Sequence, residues 1–353
     1  MRRSAVLTAI VVVGLGAAGI AAQRGGGGRG GGIPPTGAIE KIKDNLYKIP
    51  GAGSNTTVFV GTDGVVLVDT KLANNGEAIM KQVRTVTDKP VTTLINTHVH
   101  PDHNGSNDYF KAARPTIAVV AHENTKKRVL ANPKPIRATI PDVTFENVAW
   151  LGNGADRIEL YYFGPGHTDG DAFVVFPALR AMCIGDLMAW NMAPLIDPAT
   201  KGSVIALPDT LEKAVKGIKG VDLVIEGHGN VNTWAGLKAY AEFNRALLNE
   251  AKKALANKQT PEQALAALEK NKKFAVFLKE ELLKDLEYGG TPKSRALINL
   301  NVAFQELKGE PVTTNFGPPR GGGAPRGGGA PRGGGPPPGG GPGPGPAPAP
   351  PTK

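Results

Sequence analysis

Five of the six histidines in this 353-residue chain fall in turn-like segments that close apolar runs. Three stand within six residues: His98, His100 and His103, with Asp102 between them. His167 lies in Gly164-Pro165-Gly166-His167-Thr168-Asp169-Gly170. Asp186 follows Met182–Ile184 and Gly185, and His228 is flanked by Gly227 and Gly229. Neutral imidazole and carboxylate are ligands for zinc, and a catalytic zinc site keeps one position open for water. His98 and His100 are two apart, so on an extended segment they point to the same side. Asp102 and His103 come after Pro101, where the chain turns, so they face a displaced point. That suits two metals about 3.5–4 Å apart. Glycines beside His167, Asp186 and His228 permit tight turns and close backbone approach. Five unrelated surface histidines would not each close a β run in the company of two carboxylates.

The chemistry expected of such a cluster is hydrolysis. Two divalent cations lower the pKa of a water to about 7 and supply hydroxide at neutral pH. The target is a carbonyl carbon or a phosphorus or sulfur centre. Asp102 is the candidate catalytic residue, holding the nucleophile's proton and passing it to the leaving group.

The elements that must position these residues are β-rich. Asn45–Ile49, Thr56–Val60 and Val65–Asp69 read as strands, with Asp63-Gly64 a hairpin turn. Gly76–Val86 reads as a helix with Ile79, Val83 and Val86 on one face. Val91–Asn96 is a buried strand running straight into His98. A helix (Ser106–Ala112), a strand (Thr116–Ala121) and a helix (Glu123–Leu130) follow. A second β-rich half covers Val143–Asp186, and Val221–Glu226 is a buried strand ending at His228. From Gly236 the pattern is helical, with Thr260-Pro261-Glu262-Gln263 a capping box. Interleaved strands and helices make an α/β (α+β) domain with a helical C-terminal part.

The ends differ in composition. Arg2 and Arg3 precede a 16-residue apolar stretch, Ala5–Ile20, and small residues follow. Residues 1–22 therefore read as a signal peptide for export, periplasmic or secreted, by a general or twin-arginine route. The stretch is short for a span of ~20 residues; an uncleaved N-terminal anchor is the alternative. No integral membrane span is expected in the mature chain. Residues 23–38 are a Gly-rich linker, 39–235 the catalytic domain, 236–312 its helical part, and 313–353 a tail. Of the last 37 residues, 28 are Gly or Pro, which leaves nothing to bury and predicts a disordered tail.

The net charge of +10 comes mostly from these ends. Residues 39–312 hold 33 Lys or Arg against 31 Asp or Glu. A nucleic-acid groove is therefore not expected, and the partner is a small-molecule substrate. Oligomeric state is left open. Cys183 is the single cysteine, so an internal disulfide framework and cysteine-based zinc clusters are excluded.

His98-x-His100-x-Asp102-His103, followed in order by His167, Asp186 and His228, resembles the metallo-β-lactamase superfamily of hydrolases over about residues 40–235. The resemblance implies a four-layer αββα sandwich with the metals at one edge of two sheets. It implies two Zn2+ per chain. His98, His100 and His167 would hold the first, Asp102, His103 and His228 the second, and Asp186 would bridge them. Asp69, ending the run GVVLVD, resembles a carboxylate that orients the metal histidines from behind. Thr168 is read either that way or as part of its own turn. Two departures matter. The cysteine-ligand β-lactamases carry Cys where Asp186 stands, and soon after it a Lys that grips the lactam carboxylate; here Leu-Met-Ala-Trp-Asn follows. The superfamily's diiron proteins have Glu where His100 stands, which favours zinc, although Fe or Mn also suits an Asp-bridged site. The ligand set is similar to that of glyoxalase II, lactonases and alkylsulfatases.

The expected reaction is hydrolysis of an ester, thioester, lactone or lactam. Alternatives are a phosphodiesterase or sulfatase on the same metals, a β-lactamase, and a non-catalytic metal or ligand binder. The near-neutral core lacks the basic patch a polyanion needs, and the complete ligand set argues against a binder. Of the other residues, Asp169 and Asp171 read as turn formers, His122 as structural and Cys183 as a core thiol. Trp190 and Asn191 are candidates to line the mouth. Tyr109 and Phe110 fit an inward helix face or a pocket wall, and the run Asn271–Lys284 reads as a solvated helix face.

Overall fold

The computed structural model describes residues 35–132, 135, 137–279 and 291–313. The expected signal peptide, most of the linker and the tail beyond residue 313 lie outside these residues. Two sheets form, each with its strands in sequence order. The first holds β1 (Glu40–Lys43), β2 (Leu46–Ile49), β3 (Thr56–Val60), β4 (Val65–Val68), β5 (Val91–Ile95), β6 (Ala118–His122) and β7 (Val143–Phe145). The second holds β8 (Val148–Leu151), β9 (Ile158–Tyr161), β10 (Phe173–Phe176), β11 (Ala181–Gly185), β12 (Leu223–Glu226) and β13 (Val231–Thr233).

Alternation along the strands builds three apolar layers. In β10, Val174 and Phe176 face the first sheet, while Phe173 and Val175 face helices. Leu46, Phe59, Val68, Ile95 and Val120 of the first sheet meet Ile158, Leu160, Val174, Cys183 and Ile225 of the second. Phe59 and Phe176 join the two, ring centroids 5.3 Å apart. Outside the first sheet, α1 (Gly76–Val83) supplies Ile79 and Val83; α2 (Pro101–Asn104) is a single turn, and α3 (Asn107–Ala113) adds Phe110. α4 (Glu123–Ala131) follows β6. Outside the second sheet lie α5 (Leu207–Gly217), α6 (Trp234–Ala256), α7 (Pro261–Glu269) and α8 (Pro292–Lys308). The order helix, sheet, sheet, helix is the expected four-layer sandwich. The described residues belong to one compact unit ending at Thr314. No helix among them is long and apolar enough to cross a membrane.

Local chemistry explains most boundaries. Gly61 N donates to Gly64 O at 2.9 Å, closing the expected hairpin. Thr260 and Gln263 form the capping box, with Pro261 at the first helical position. Most boundaries shift by a residue or two, and three differences have a visible cause. α1 stops at Val83 rather than Val86, because Thr85 and Val86 fold back onto Gln82 and Val83 in turns. β12 starts at Leu223, since the backbone of Asp222 is held by Arg180 O. Asn271–Lys284 is not a solvated helix where described: Lys272–Phe277 is a 3-10 helix that buries Phe274 and Phe277. Residues 280–284 lie outside the described set.

β4 runs parallel to β5, and β11 to β12. Parallel pairing puts the C-terminal ends of paired strands side by side. Asp69, His98, Asp186 and His228 all follow such ends.

Candidate metal centre

The first four residues are set by a strand end and a turn. After β5, Thr97 O accepts from Ala172 N of the second sheet's half, fixing the exit toward His98. His100 is the extended N-cap of α2 (φ −67°, ψ 146°), and Pro101 opens that helix. The turn lifts Asp102 and His103 off the line of the first pair, as the proline suggested. Asp186 follows Gly185, whose φ is +54°. A β-carbon on Gly227 would lie 2.1 Å from Asp186 Oδ1, so only glycine leaves room for that carboxylate beside His228.

The structure brings all seven expected ligands together. His100 Nδ1 lies 3.2 Å from His98 Nε2 and 2.8 Å from His167 Nε2. His103 Nε2 lies 3.4 Å from His228 Nε2, and Asp102 Oδ2 is 3.3 Å from His228 Nε2. Asp186 stands between the sets: Oδ1 is 3.2 Å from His103 Nε2, while Oδ2 is 3.2 Å from His228 Nε2 and 3.7 Å from His167 Nε2. Ligand atoms 2.0–2.1 Å from a tetrahedral ion are about 3.3 Å from one another, the spacing seen here. Three overlapping groups, His98/His100/His167, His98/His103/Asp186 and Asp102/His103/His228, could each hold an ion.

The backs of the rings decide which nitrogen is free. Asp69 is 1% exposed and accepts from Thr97 N (2.8 Å), Thr97 Oγ1 (2.7 Å) and His103 Nδ1 (2.7 Å). Thr97 Oγ1, its proton given to Asp69, accepts from His98 Nδ1 at 3.0 Å. His167 Nδ1 donates to Leu195 O. His100 Nε2 donates to Asp197 Oδ2 at 2.9 Å. Four imidazoles therefore hold a proton at the rear and turn their other nitrogen, the one free to bind an ion, toward one space. His228 is gripped differently: the Trp190 ring stacks on it, centroids 4.4 Å apart and planes 25° from parallel.

The electrostatics call for positive charge. Asp186 Oδ1 is buried, and its ion-pair partner His103 Nε2, 3.2 Å away, is not aligned for a good hydrogen bond. Burial disfavours its charge, yet His228 and His103 hold its carboxyl well below the usual range. Burial also opposes the charge of Asp102, but His103 and His228 bring it to about 2. In return the carboxylates, against burial, raise His228 to about 9 and His103 well above its ordinary value. Burial and neighbouring histidines push His98 far down and His167 to about 4. Without an ion, protons on two histidines balance two carboxylates. The donor set thus fits divalent cations.

Other expected residues fall out plainly. Thr168 Oγ1 donates to Asp171 Oδ1 (2.6 Å) and accepts from Gly170 N, so its bonds stay inside the turn. Asp169 pairs with Arg128 at 2.6 Å. His122 caps α4 and donates to Glu146 O at 2.7 Å. Cys183 is buried, and burial pushes its thiol up to about 12. Phe110 packs inward, while Tyr109 is 39% exposed. Sequence reasoning missed Asp197, which lies in a loop 97 residues from His100. It also missed Lys71, whose buried amine donates to Ile49 O (2.7 Å), Gly51 O (2.8 Å) and Ser54 O. That clamp shapes the loop whose Gly53 packs against Asp102 Cβ. Neither carries a local signal.

Residues 49–198 match the family model of the metallo-beta-lactamase superfamily. A metallo-beta-lactamase type 2 of Bacillus sp. (strain 170) is 27% identical over 179 residues, 50% of this chain and 67% of that protein. The alkyl/aryl-sulfatase BDS1 of Saccharomyces cerevisiae is 29% identical over 139 residues, 36% of this chain and 20% of that protein. The structure of a metallo-beta-lactamase from Pontibacter korlensis superposes with a TM-score of 0.52 at 22% identity, over 59% of this chain and 98% of its own. Family model, relatives and fold agree with the converging histidines and carboxylates, and they mark residues 49–198 as a region of the metallo-beta-lactamase superfamily of hydrolases.

Proposed function

We propose that the chain is an exported hydrolase that holds two zinc ions and cleaves an ester, thioester, lactone or lactam. The observation that carries this reading is the tautomer control: four ring nitrogens are freed toward one space by Asp69, Thr97, Leu195 O and Asp197. His98, His100 and His167 would hold one ion and Asp102, His103 and His228 the other, with the Asp186 carboxylate between the two sets. When bound, such a pair polarises the substrate's oxygen and acidifies water.

The chain's own residues do the rest. Asp102 has a side chain 29% exposed, the most open of the cluster's three carboxylates including Asp69. Its carboxylate would accept the nucleophile's proton and deliver it to the leaving group. Gly53 lies close behind it, where a β-carbon would stand 2.9 Å from Asp102 Cβ. Trp190 and Asn191, both in left-handed backbone beside His228, border the substrate's entry. Acyl chemistry is preferred because the folded part is near-neutral. The identity to an alkyl/aryl-sulfatase supports sulfate esters as the second reading. Lactam binding in the manner of the cysteine-ligand β-lactamases is disfavoured by Leu187–Asn191, where no Lys stands.

The test is a chromogenic panel of esters, thioesters, lactones, a cephalosporin, aryl sulfates and phosphodiesters. It is run on zinc-loaded protein beside Asp102→Ala. Acyl turnover is expected, reduced at least a hundredfold in the variant and abolished by chelation. Asp102→Ala turning over at the wild-type rate with full metal would remove its assigned role. Cleavage of sulfates alone would replace the acyl reading. Export is read separately, by mass spectrometry of the mature N-terminus.

A further inference from the structure

Arg295 is 1% exposed, although it is a cation on a helix of the C-terminal layer, well beyond the family-matched residues 49–198. Its guanidinium lies over the Trp190 ring, 5.4 Å from the centroid. Burial lowers its pKa to about 10, with Asp186 and Tyr240 opposing, so it stays charged at neutral pH. Trp190 is the residue stacked on His228, and Trp190 N donates to His228 O at 3.1 Å.

The turn carrying Trp190 is strained and held from several directions. Trp190 and Asn191 have φ of +51° and +52°, a region non-glycine residues avoid. Such backbone persists only where its surroundings over-determine it. Tyr240 Oη on α6 donates to Met192 O at 2.9 Å. Asn232 Nδ2 donates to Asn191 Oδ1 (3.2 Å) and Glu226 Oε1 (3.1 Å), and Asn191 N donates to Glu226 Oε2 (3.3 Å). The helical layer thus reaches the turn twice, through Tyr240 on the backbone and Arg295 on the ring.

We propose that Arg295 is a positioning residue of the metal centre: it holds Trp190 against His228, so the second ion's affinity depends on the C-terminal helical layer. The assignment rests on the two-metal reading above. A guanidinium over an indole face is attracted by the ring's quadrupole, most strongly where water is excluded. Loss of that contact frees the indole to swing and lets the His228 ring turn with it. Residues that orient a ligand in this way change metal affinity by about 10–100-fold.

The experiment uses full-length protein and its Arg295→Met, Arg295→Lys and Trp190→Phe variants, each checked for folding by circular dichroism. Metal-free emission is compared first, with Trp190→Phe isolating the Trp190 contribution from Trp150 and Trp234. Arg295→Met is expected to shift that contribution, and Arg295→Lys to restore part of it. Zinc is then titrated against a chromophoric chelator. Arg295→Met should weaken one equivalent about 10–100-fold and spare the other, with Arg295→Lys in between. Folded Arg295→Met with wild-type emission, or with wild-type affinity for both equivalents, overturns the proposal. If Arg295→Met does not fold, Arg295→Gln carries the same comparison. Wild-type protein that takes up no zinc overturns the two-metal reading instead, and the coupling falls with it. The emission shift still separates that failure from a wrong placement of Arg295.

Discussion

Asp69→Asn is the sharpest perturbation of the site, because it changes one atom and reverses a hydrogen-bond direction. The carboxylate now accepts three bonds, from Thr97 N, Thr97 Oγ1 and His103 Nδ1. An amide must present an NH2 to one side. Turned toward Thr97 N it meets a backbone N–H that cannot reverse. The amide oxygen therefore stays on Thr97 N, and the NH2 faces Thr97 Oγ1 and His103 Nδ1. His103 then accepts at Nδ1, its proton moves to Nε2, and the lone pair needed for the second ion is lost. Restoring it means giving up that bond and opposing two N–H groups, about 1.5–3 kcal/mol for a bond of this kind, or roughly 10–150-fold in affinity. His98 is reached only through the Thr97 hydroxyl, which can rotate, so the first ion is affected less. The assay is zinc stoichiometry and chelator-competition affinity of folded Asp69→Asn. Two equivalents bound as tightly as in wild type, or loss confined to the first, would falsify the tautomer argument.

The same logic makes Asp197→Ala selective for the other ion. It removes the acceptor on His100 Nε2, and the first equivalent should weaken about 10–100-fold in the chelator assay; an unchanged first equivalent counts against it. Lys71 gives a prediction about stability and pH. Burial pushes its amine from 10.5 to about 7, so the folded state releases this proton before the unfolded state does. Wild type therefore gains stability over Lys71→Met as pH rises from 7 to 10.5, by up to ~1.4 kcal/mol per unit. At pH 9 the neutral amine still offers two N–H groups, so the variant is the less stable: two carbonyls lose a donor at about 1–3 kcal/mol for each left unsatisfied. Urea unfolding at pH 6.5 and 9 measures the gap, and a gap that does not widen refutes the shift.

The metal cluster was legible because its information is local. His98, His100, Asp102 and His103 are spaced by a strand end and one turn, and glycines mark the tight exits at Asp186 and His228. The sandwich came from the family resemblance; the pattern by itself gave only interleaved strands and helices, because a strand such as β10 is buried on both faces and shows no polar side. What was not legible depends on contacts between distant segments. Asp197 meets His100 across 97 residues, and Arg295 reaches Trp190 from the C-terminal layer, with no spacing to announce either. Lys71 reads as a surface lysine until the carbonyls of Ile49, Gly51 and Ser54 surround it. In Lys272–Phe277 the lysines dominated the pattern, whereas the fold used Phe274 and Phe277 as anchors.

Each sheet is built from one contiguous stretch, β1–β7 from residues 40–145 and β8–β13 from residues 148–233. Four of the seven candidate ligands come from the first stretch and three from the second. Asn55 N and Gly227 O, 2.8 Å apart, stitch the same boundary. Neither half alone can assemble a complete ion site, so capture of an ion is an event of assembly as well as of chemistry. An ion held only by the joined halves stabilises the joined state by mass action and acts as a rivet across the seam.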